Sequence, residues 1–335
     1  MNPHPDPRPD SRYDVVAIGN AIVDVIARAD ETFLARHGLP KGTMSLIDEA
    51  TAERLYGLMG PGVEVSGGSA ANTVAVIAAL GGRAAFVGKV AADQLGKVFA
   101  HDIRAAGVAF DCAPLDGGMS TARCLVFVTP DAQRTMQTFL GAAAEVGPED
   151  VDERLIAASQ VLYLEGYLWD QPRAKQAFLK AAGIAAAARR KVAFTLSDPF
   201  CVDRHRAEFL ELVERHVDVL FANEEEVKSL YQVGDFDAAL QRVRGHCEVA
   251  VLTRSEKGSV VVSGDEVHVV DAEPHVDVVD TTGAGDAYAA GFLYAYTQGR
   301  ALRDCARLGT LLAAEVISHY GARPEADVRD LLAAV

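Results

Sequence analysis

Residues 280–286 read Asp-Thr-Thr-Gly-Ala-Gly-Asp, and the apolar run from Ala287 to Tyr296 that follows predicts a helix. Gly283 and Gly285 let the backbone turn tightly, so that successive N–H groups can approach one ligand. The helix N-terminus adds unpaired donors and the positive end of a dipole, which suits a phosphate. Asp286 would repel a stored phosphate, but it could take a proton from an attacking hydroxyl. The stretch therefore predicts phosphoryl transfer.

A plain loop in which Asp286 caps the helix is the alternative that these seven residues leave open. The familiar nucleotide motifs do not fit the same place. After Gly283 and Gly285, the third glycine of a G-x-G-x-x-G motif would fall at Tyr288, and no G-x-x-x-x-G-K-[ST] motif occurs in the sequence. The sequence thus disfavours a Rossmann dehydrogenase and a P-loop enzyme.

A second glycine cluster, Ser66-Gly67-Gly68-Ser69-Ala70-Ala71-Asn72, precedes another apolar helix. Its glycine pair permits close backbone approach to a small polar ligand, and Asn72 would face that ligand from one turn into the helix. A turn in which Asn72 only makes a capping bond is the alternative. Asn20 and Asp24, which follow the first apolar run, strengthen the interpretation as a ligand site.

Short apolar runs alternate with helix-like segments along most of the chain. The runs are Val15 to Ile18, Ala85 to Val87, Val161 to Leu164, Val192 to Thr195, Val217 to Phe221 and Val249 to Thr253. This alternation predicts an α/β three-layer sandwich with a mostly parallel central sheet, and ligands of such sheets collect at the carboxyl ends of the strands.

Two segments, Leu39 to Ile47 and Phe110 to Leu140, break this rhythm and are rich in β-favouring residues and turns. We expect them to form a small β-sheet lid, which would exclude water from phosphoryl transfer. A β-extension or a dimer edge is the alternative. The predicted boundaries are a disordered tail at 1–12, an α/β core at 13–30, 50–107 and 141–335, and a small lid domain at 31–49 and 108–140.

Composition narrows the classes of function. A chain of 335 residues, 50% of them hydrophobic, can bury a large core, and a formal charge of −15 argues against a nucleic-acid surface. A phosphate ligand would therefore rely on Mg²⁺ and backbone N–H groups more than on a basic patch.

The five cysteines are widely spaced and include no C-x-x-C pair, which indicates neither a zinc site nor a disulfide framework and favours a cytoplasmic location. Residues 1–12 hold four prolines and no apolar stretch, so we expect no signal peptide there. No apolar run approaches the roughly 20 residues of a membrane span.

In combination, Gly67 to Asn72 and Asp280 to Asp286 resemble the two signatures of the ribokinase family of carbohydrate and nucleoside kinases. Within that family the chain looks most similar to bacterial adenosine kinases, through residues 19–24, Gln133 to Met136 with Leu140 to Ala142, and Asn223 to Glu226. The resemblance extends over nearly the whole chain after the tail. It implies ATP-dependent phosphorylation of the 5'-hydroxyl of adenosine, giving AMP and ADP.

The resemblance also implies roles for individual residues. The catalytic set would be Asp286 as general base, the N–H groups of Gly283, Ala284 and Gly285 as anion hole, and Arg134 of the lid as a cation near the transferring phosphate. The substrate set would be Asn20, Asp24, Gly67, Gly68, Asn72 and Tyr167, with Asp24 accepting from a vicinal diol. The ATP set would be Asn223, Thr253, Ser255, Gly258 and Thr282.

For metal ions, the resemblance implies that Glu226 organises Mg²⁺ through water, and it places a monovalent cation at Asp280 and Thr282, which leaves K⁺ activation open. Leu168 stands where adenosine kinases carry one aromatic of the pair near the purine, so the stacking partner is uncertain. Trp169 could replace that ring or belong to the core.

Other acceptors remain alternatives: a sugar of the ribose or fructose type, inosine or guanosine. A catalytically inactive nucleoside sensor is a further one. We expect small-molecule partners only, namely ATP and a nucleoside or sugar, with no nucleic acid and no membrane, in a monomer or homodimer.

Overall fold

The computed structural model describes residues 12–131 and 133–335. The predicted tail lies outside the described residues except for Arg12, whose backbone N–H donates to the carbonyl of Ala158 at 2.9 Å. None of the helices in the described ranges is long and apolar enough to cross a membrane.

The strands and α-helices alternate as the sequence pattern predicts. In chain order the strands are β1 (Tyr13–Ile18), β2 (Ile22–Arg28), β3 (Met44–Leu46), β4 (Gly62–Gly67), β5 (Ala84–Val87), β6 (Ala122–Val128), β7 (Arg134–Phe139), β8 (Ser159–Glu165), β9 (Lys191–Thr195), β10 (Val219–Asn223), β11 (Val249–Thr253), β12 (Ser259–Ser263) and β13 (Glu266–Val270). The α-helices are α1 (Glu31–His37), α2 (Glu49–Tyr56), α3 (Ser69–Ala79), α4 (Gln94–Ala105), α5 (Glu153–Ala157), α6 (Pro172–Ala187), α7 (Pro199–His216), α8 (Glu224–Tyr231), α9 (Phe236–Val243), α10 (Ala284–Thr297) and α11 (Leu302–Ile317).

The larger sheet has eight strands in the order β13-β12-β11-β10-β9-β8-β1-β5. In this sheet, the neighbouring strands β11, β10, β9, β8, β1 and β5 all pair in parallel. Beyond β11, the strands β12 and β13 pair antiparallel and form one edge of the sheet. The predicted mostly parallel sheet is confirmed. Parallel strands buried on both faces read as continuous apolar runs, which is why the sequence pattern found them.

Alternate residues of β1 enter different apolar cores. Val15 and Ala17 belong to the core beneath α3, α4, α10 and α11, whereas Val16 and Ile18 belong to the core beneath α6, α7, α8 and α9. Because successive side chains of a strand point to opposite faces, this alternation places one helical layer on each side of the sheet. The predicted three-layer sandwich follows from it.

The smaller sheet has five strands in the order β3-β7-β6-β2-β4. It therefore takes in residues 22–28 and 62–67, which the sequence-based boundaries assigned to the core, so the small sheet is larger than predicted. The reason is long-range pairing: β2 lies between β6, in parallel, and β4, antiparallel, and no local pattern reveals such partners.

Candidate active site

A cavity of about 1240 Å³ is lined both by the small sheet and by residues at the carboxyl ends of large-sheet strands. Two groups of polar side chains stand in its wall. We call them the Asp286 group, which is Asn20, Asp24, Asn72 and Asp286, and the Glu226 group, which is Asn223, Glu226 and Thr253. A cavity of this size can hold two small ligands.

Asp286 occupies the third position of α10, whose N-cap is Gly283 in the left-handed region at φ 78°. The carboxylate does not cap the helix. Its Oδ1 accepts from the Ser69 hydroxyl at 2.6 Å, and its Oδ2 accepts from the Asn72 side-chain amide at 3.3 Å. The capping alternative is thereby excluded. Burial raises the pKa of Asp286 to about 6, while these two hydrogen bonds and Arg323 act to lower it.

Residues 280–286, which we call the glycine loop, present their backbone to the cavity. Gly283 and Gly285 lie in the cavity wall, and a Cβ built on Gly285 would meet no atom within 4 Å, so space is open there. At Gly283 a side chain is excluded, because a Cβ would lie 2.6 Å from the Cα of Ala322. The Ala284 N–H donates to the carbonyl of Thr281 at 3.2 Å, so part of its hydrogen-bonding capacity closes the turn.

Asp24 lies on β2 of the small sheet and not at the end of the first strand, where the sequence interpretation placed it. It reaches the cavity beside β4, where a Cβ on Gly67 would come within 2.3 Å of its Oδ2. Burial raises the pKa of Asp24 to about 6; Arg323 and Arg134 lower it, and Asp286 raises it. The two carboxylates thus repel each other across a shared space that contains cationic side chains.

Asn20 lies in the turn between β1 and β2, close to the start of α3. Gly68, at φ 98°, is the N-cap of that helix, and a Cβ there would come within 2.2 Å of the Asn20 carbonyl. The Asn20 side-chain amide donates to Glu165 Oε1 at 2.7 Å, and the Ala70 N–H donates to Glu165 Oε2 at 2.9 Å. The turn between β1 and β2 and the start of α3 are therefore held together by one carboxylate.

That carboxylate, Glu165, is absent from the sequence-based site. It ends β8, is 1% exposed, and has a pKa that burial raises to about 7. The available signal was its position directly after the apolar run Val161 to Leu164, since ligands gather at the carboxyl ends of parallel strands.

Arg134 begins β7 and crosses from the small sheet to the glycine loop. Its Nη2 lies 2.9 Å from Asp280 Oδ2, and its guanidinium stands over the ring of Tyr320 at 5.6 Å. Among the described residues, no acceptor reaches the buried Nε of Arg134, so one donor of the guanidinium is unpaired. The structure thus brings Arg134 to the cavity wall beside the loop.

The side chain of Asp280 does not fit the predicted monovalent-cation site. Its Oδ1 accepts from the Thr282 N–H at 3.1 Å and hydroxyl at 2.7 Å, and its Oδ2 accepts from the Gly321 N–H at 3.2 Å and from Arg134. A carboxylate has about four acceptor positions, so these four donors use the side chain fully. We derive no step through K⁺.

Within the Glu226 group, Asn223 and Glu226 form a capping box at the start of α8. Glu226 accepts from the Asn223 N–H at 2.9 Å and side-chain amide at 2.6 Å, and Asn223 accepts from the Glu226 N–H. About two acceptor positions of Glu226 remain, which fits a hydrated Mg²⁺ held through water. Burial raises the pKa of Glu226 to about 7, and a bound cation would favour its charged form. No cluster of three or more metal-ligating His, Cys, Asp or Glu side chains occurs in the described part of the chain.

The remaining predicted residues divide into two sets. Thr253, Thr282 and Tyr167 line the cavity, and the Tyr167 hydroxyl donates to the Ser197 carbonyl at 3.2 Å. Ser255 and Gly258 lie in the turn between β11 and β12, outside the cavity wall.

Trp169 is 4% exposed and packs on Phe178 and Phe209 in the core, with its Nε1–H donating to Glu208 at 2.6 Å. It does not replace the aromatic residue that is missing at Leu168.

Arg323 is the second residue that sequence reasoning missed. It follows α11 in the segment 320–323, which backs the glycine loop, and it lines the cavity next to Asn72. No motif points to an arginine at this position. Its place in the site depends on how the C-terminal segment packs.

Comparison with known proteins gives a consistent result. Residues 14–329 match the pfkB family carbohydrate kinases. The solved structure of an adenosine kinase from Sinorhizobium meliloti is 55% identical, with a TM-score of 0.89 over 96% of this chain and 99% of that one. A probable sugar kinase from Rhizobium etli is 51% identical, with the same TM-score over 97% of this chain and 98% of the other.

A more distant relative, the adenosine kinase of Saccharomyces cerevisiae, is 27% identical over 92% of this chain and 95% of its own length. The similarity thus extends over nearly the full length of both chains.

Proposed function

Since this chain belongs to the pfkB family of carbohydrate kinases, we propose that it transfers the γ-phosphate of ATP to the 5'-hydroxyl of adenosine, giving AMP and ADP. Membership makes the chain a sugar or nucleoside kinase, that is, a phosphotransferase with an alcohol group as acceptor. The proposal concerns which alcohol it uses.

The observation that carries the proposal is the contrast between the polar Asp286 group and the apolar strip of the small sheet in the same cavity. Met44 and Leu46 of β3 are 48% and 58% exposed there, although both are large apolar side chains. The strip also includes Ile22, Val65, Val126, Met136 and Leu140. Exposed apolar surface inside a cavity indicates a ligand with an apolar part.

A nucleoside matches this contrast better than a free sugar does. Its ribose carries a vicinal diol, which the two oxygens of Asp24 can accept from at once, and its base is a flat, largely apolar ring. Ribose or fructose is polar on every side and would leave Met44 and Leu46 without a partner. Among nucleosides, the 55% identity to the Sinorhizobium adenosine kinase favours adenosine.

The proposed reaction places each group in a defined role. Asp286 takes the proton of the 5'-hydroxyl as the oxygen attacks the γ-phosphate, and the N–H groups around Gly283 and Gly285 face the developing charge. Ser69 and Asn72, which donate to Asp286, hold the base in position. Arg134 would add its unpaired Nε donor from the small sheet.

Mg²⁺, when bound, neutralises phosphate charge and keeps the transferring group in line. In this chain Glu226 and Asn223 would hold its water shell. The small sheet with its apolar strip would exclude bulk water, which otherwise competes with the alcohol as acceptor.

A phosphotransfer assay across acceptors tests the proposal. The purified chain, ATP and Mg²⁺ are combined with adenosine, 2'-deoxyadenosine, inosine, guanosine, ribose or fructose, and ADP formation is measured. We expect adenosine to give the highest kcat/KM and the free sugars to be at least 100-fold poorer.

A higher kcat/KM for ribose or fructose would overturn the nucleoside assignment, and a preference for inosine or guanosine would overturn the adenine assignment. Binding of adenosine and ATP without ADP formation would favour a nucleoside sensor over an enzyme.

A further inference from the structure

Arg323 links Asn72 of the Asp286 group to Ser66 of β4 and Asp102 of α4. Its Nε donates to Asn72 Oδ1 at 3.1 Å, its Nη2 donates to the Ser66 hydroxyl at 2.9 Å, and its Nη1 lies 3.4 Å from Asp102 Oδ2. Asp102 also accepts from the Ser66 N–H and hydroxyl. The guanidinium is therefore fixed on both sides of its planar fork.

The bond to Asn72 has a consequence for Asp286. A side-chain amide has an oxygen that accepts and a nitrogen that donates, and a rotation of 180° exchanges them. Because Arg323 can only donate, the Asn72 oxygen must face Arg323, and the Asn72 nitrogen then faces Asp286 Oδ2 at 3.3 Å. In the opposite orientation, the amide oxygen would stand against the carboxylate and repel it.

We propose that Arg323 is a positioning residue that locks the Asn72 amide in the orientation that donates to Asp286, and thereby keeps this carboxylate aimed and ionised. The proposal rests on the proposed function in one respect, the role of Asp286 as the base. Arg323 bonds Asn72 and not Asp286: its charge lowers the pKa of that carboxyl from a distance, and its hydrogen bond sets the orientation of the amide.

The charges around Asp286 make this orientation important. Asp24 of β2 and Glu165 of β8 interact with the charge of Asp286, as do Tyr163 and Tyr167, whereas Asp102 of α4 interacts with Arg323. Arg323 is a cation whose charge lowers the pKa of Asp286. With two acidic neighbours and a buried location, the carboxylate depends on its donors to stay charged.

The direction of the pH effect follows from these contacts. Burial raises the pKa of Asp286 to about 6, and the donors from Ser69 and Asn72 oppose that rise. If the Asn72 amide turns round, one opposing donor is lost, and the pKa of Asp286 rises further. A base with a higher pKa is protonated over a wider range, so the acidic limb of kcat should move to higher pH.

Two substitutions separate the geometry of Arg323 from its charge. Arg323→Lys keeps a positive charge but lacks the planar fork that bonds Asn72 and Ser66 together, whereas Arg323→Gln removes both. Arg329→Gln, at an exposed arginine six residues later that pairs with Asp327, is the matched control.

We expect Arg323→Lys and Arg323→Gln each to lower kcat roughly 10- to 100-fold, the effect of losing a charge-assisted hydrogen bond, and to shift its acidic limb upward. The KM for ATP should stay close to that of Arg329→Gln. Wild-type kcat in Arg323→Lys would overturn the proposal, because charge alone would then suffice.

The Asn72→Ala background tests the route through the amide. There, Arg323→Lys should add little further loss, since the bond it breaks is already absent. If the loss of kcat in the double variant equals the product of the two single losses, Arg323 acts without Asn72, and the proposal is overturned.

A readout without turnover keeps this proposal separate from the acceptor assignment. The ¹³C shift of the Asp286 carboxyl, assigned with Asp286→Asn, is followed against pH by NMR in the absence of substrate. Arg323→Lys should raise its midpoint, and an unchanged midpoint would contradict the proposal. If the wild-type chain prefers ribose to adenosine, the proposed function fails, and the same kinetic variants are then measured with ribose.

Discussion

The Asp286 group and the Glu226 group share one cavity but are assembled differently. Asn72 and Asp286, which are hydrogen-bonded, lie 214 residues apart in sequence, and Arg323, which bonds Asn72, lies 251 residues from it. Asn223 and Glu226 are three residues apart and satisfy each other within one capping box. The Asp286 group is assembled only when the whole chain folds, whereas the Asn223 and Glu226 pair needs only the first turn of α8.

This difference indicates how substitutions should act. In the Asp286 group, Asn20, Asn72 and Asp286 are bonded to side chains from distant segments, so a single change should disturb several neighbours and affect the chemical step. In the Glu226 group, the helix start itself supplies the geometry, so a change should alter the binding of one ligand and little else.

The largest effect should come from Asp286→Asn. Asparagine keeps the size of the side chain but cannot accept a proton, so we expect kcat to fall about 10²- to 10⁴-fold while the Kd for ATP changes little. Steady-state kinetics and calorimetric ATP titration measure the two quantities. Asp304→Asn is the control, because Asp304 occupies the same third position in α11. Near-normal turnover of Asp286→Asn would remove this residue from the role of base.

Asp24→Asn should give the next largest effect, and mainly on the acceptor. The amide keeps one accepting oxygen of the two, so the diol loses a charge-assisted hydrogen bond, and we expect the KM for adenosine to rise about 10- to 100-fold. The preference for adenosine over 2'-deoxyadenosine should shrink in the variant. Equal losses of kcat/KM for both nucleosides would show that Asp24 does not bind the diol.

Glu226→Gln should have the smallest effect of the three. Glutamine can still accept from Asn223 and so preserves most of the cap, but the negative charge is lost. We expect the Mg²⁺ concentration for half-maximal rate to rise several-fold with a change in kcat of less than about tenfold. Glu225→Gln, at the neighbouring exposed carboxylate that pairs with Lys228, serves as control. A loss as large as that of Asp286→Asn would erase the contrast between the two groups.

Sequence reasoning succeeded where a residue type and its position carry the chemistry locally. The glycines at 283 and 68 have positive φ and no room for a side chain, so their identity alone marks the two turns. The apolar runs gave the parallel sheet because each strand is buried on both faces. Asn223 and Glu226 were paired through the family resemblance, and the structure explains their spacing, because a capping box joins two residues three positions apart.

It failed where a partner comes from elsewhere in the chain. Asp24 was placed after the first strand, although it belongs to a strand of the small sheet whose partners are β4 and β6. Asp280 was assigned a cation, although its acceptor positions are used by Thr282, Gly321 and Arg134. Glu165 was missed although it directly follows the apolar run Val161 to Leu164, and Arg323 was missed because no motif marks it; the partners of both lie far away in sequence.

The sequence by itself determined the layered α/β fold, the two glycine turns and the identity of the proposed base, because these depend on backbone freedom, strand burial and residue chemistry. Only the tertiary structure decided which side chains steady that base, which donors use the oxygens of Asp280 and which apolar residues face the cavity. Each of these depends on long-range contacts, and a hydrogen bond between segments more than 200 residues apart exists only once the two sheets and their helices have packed.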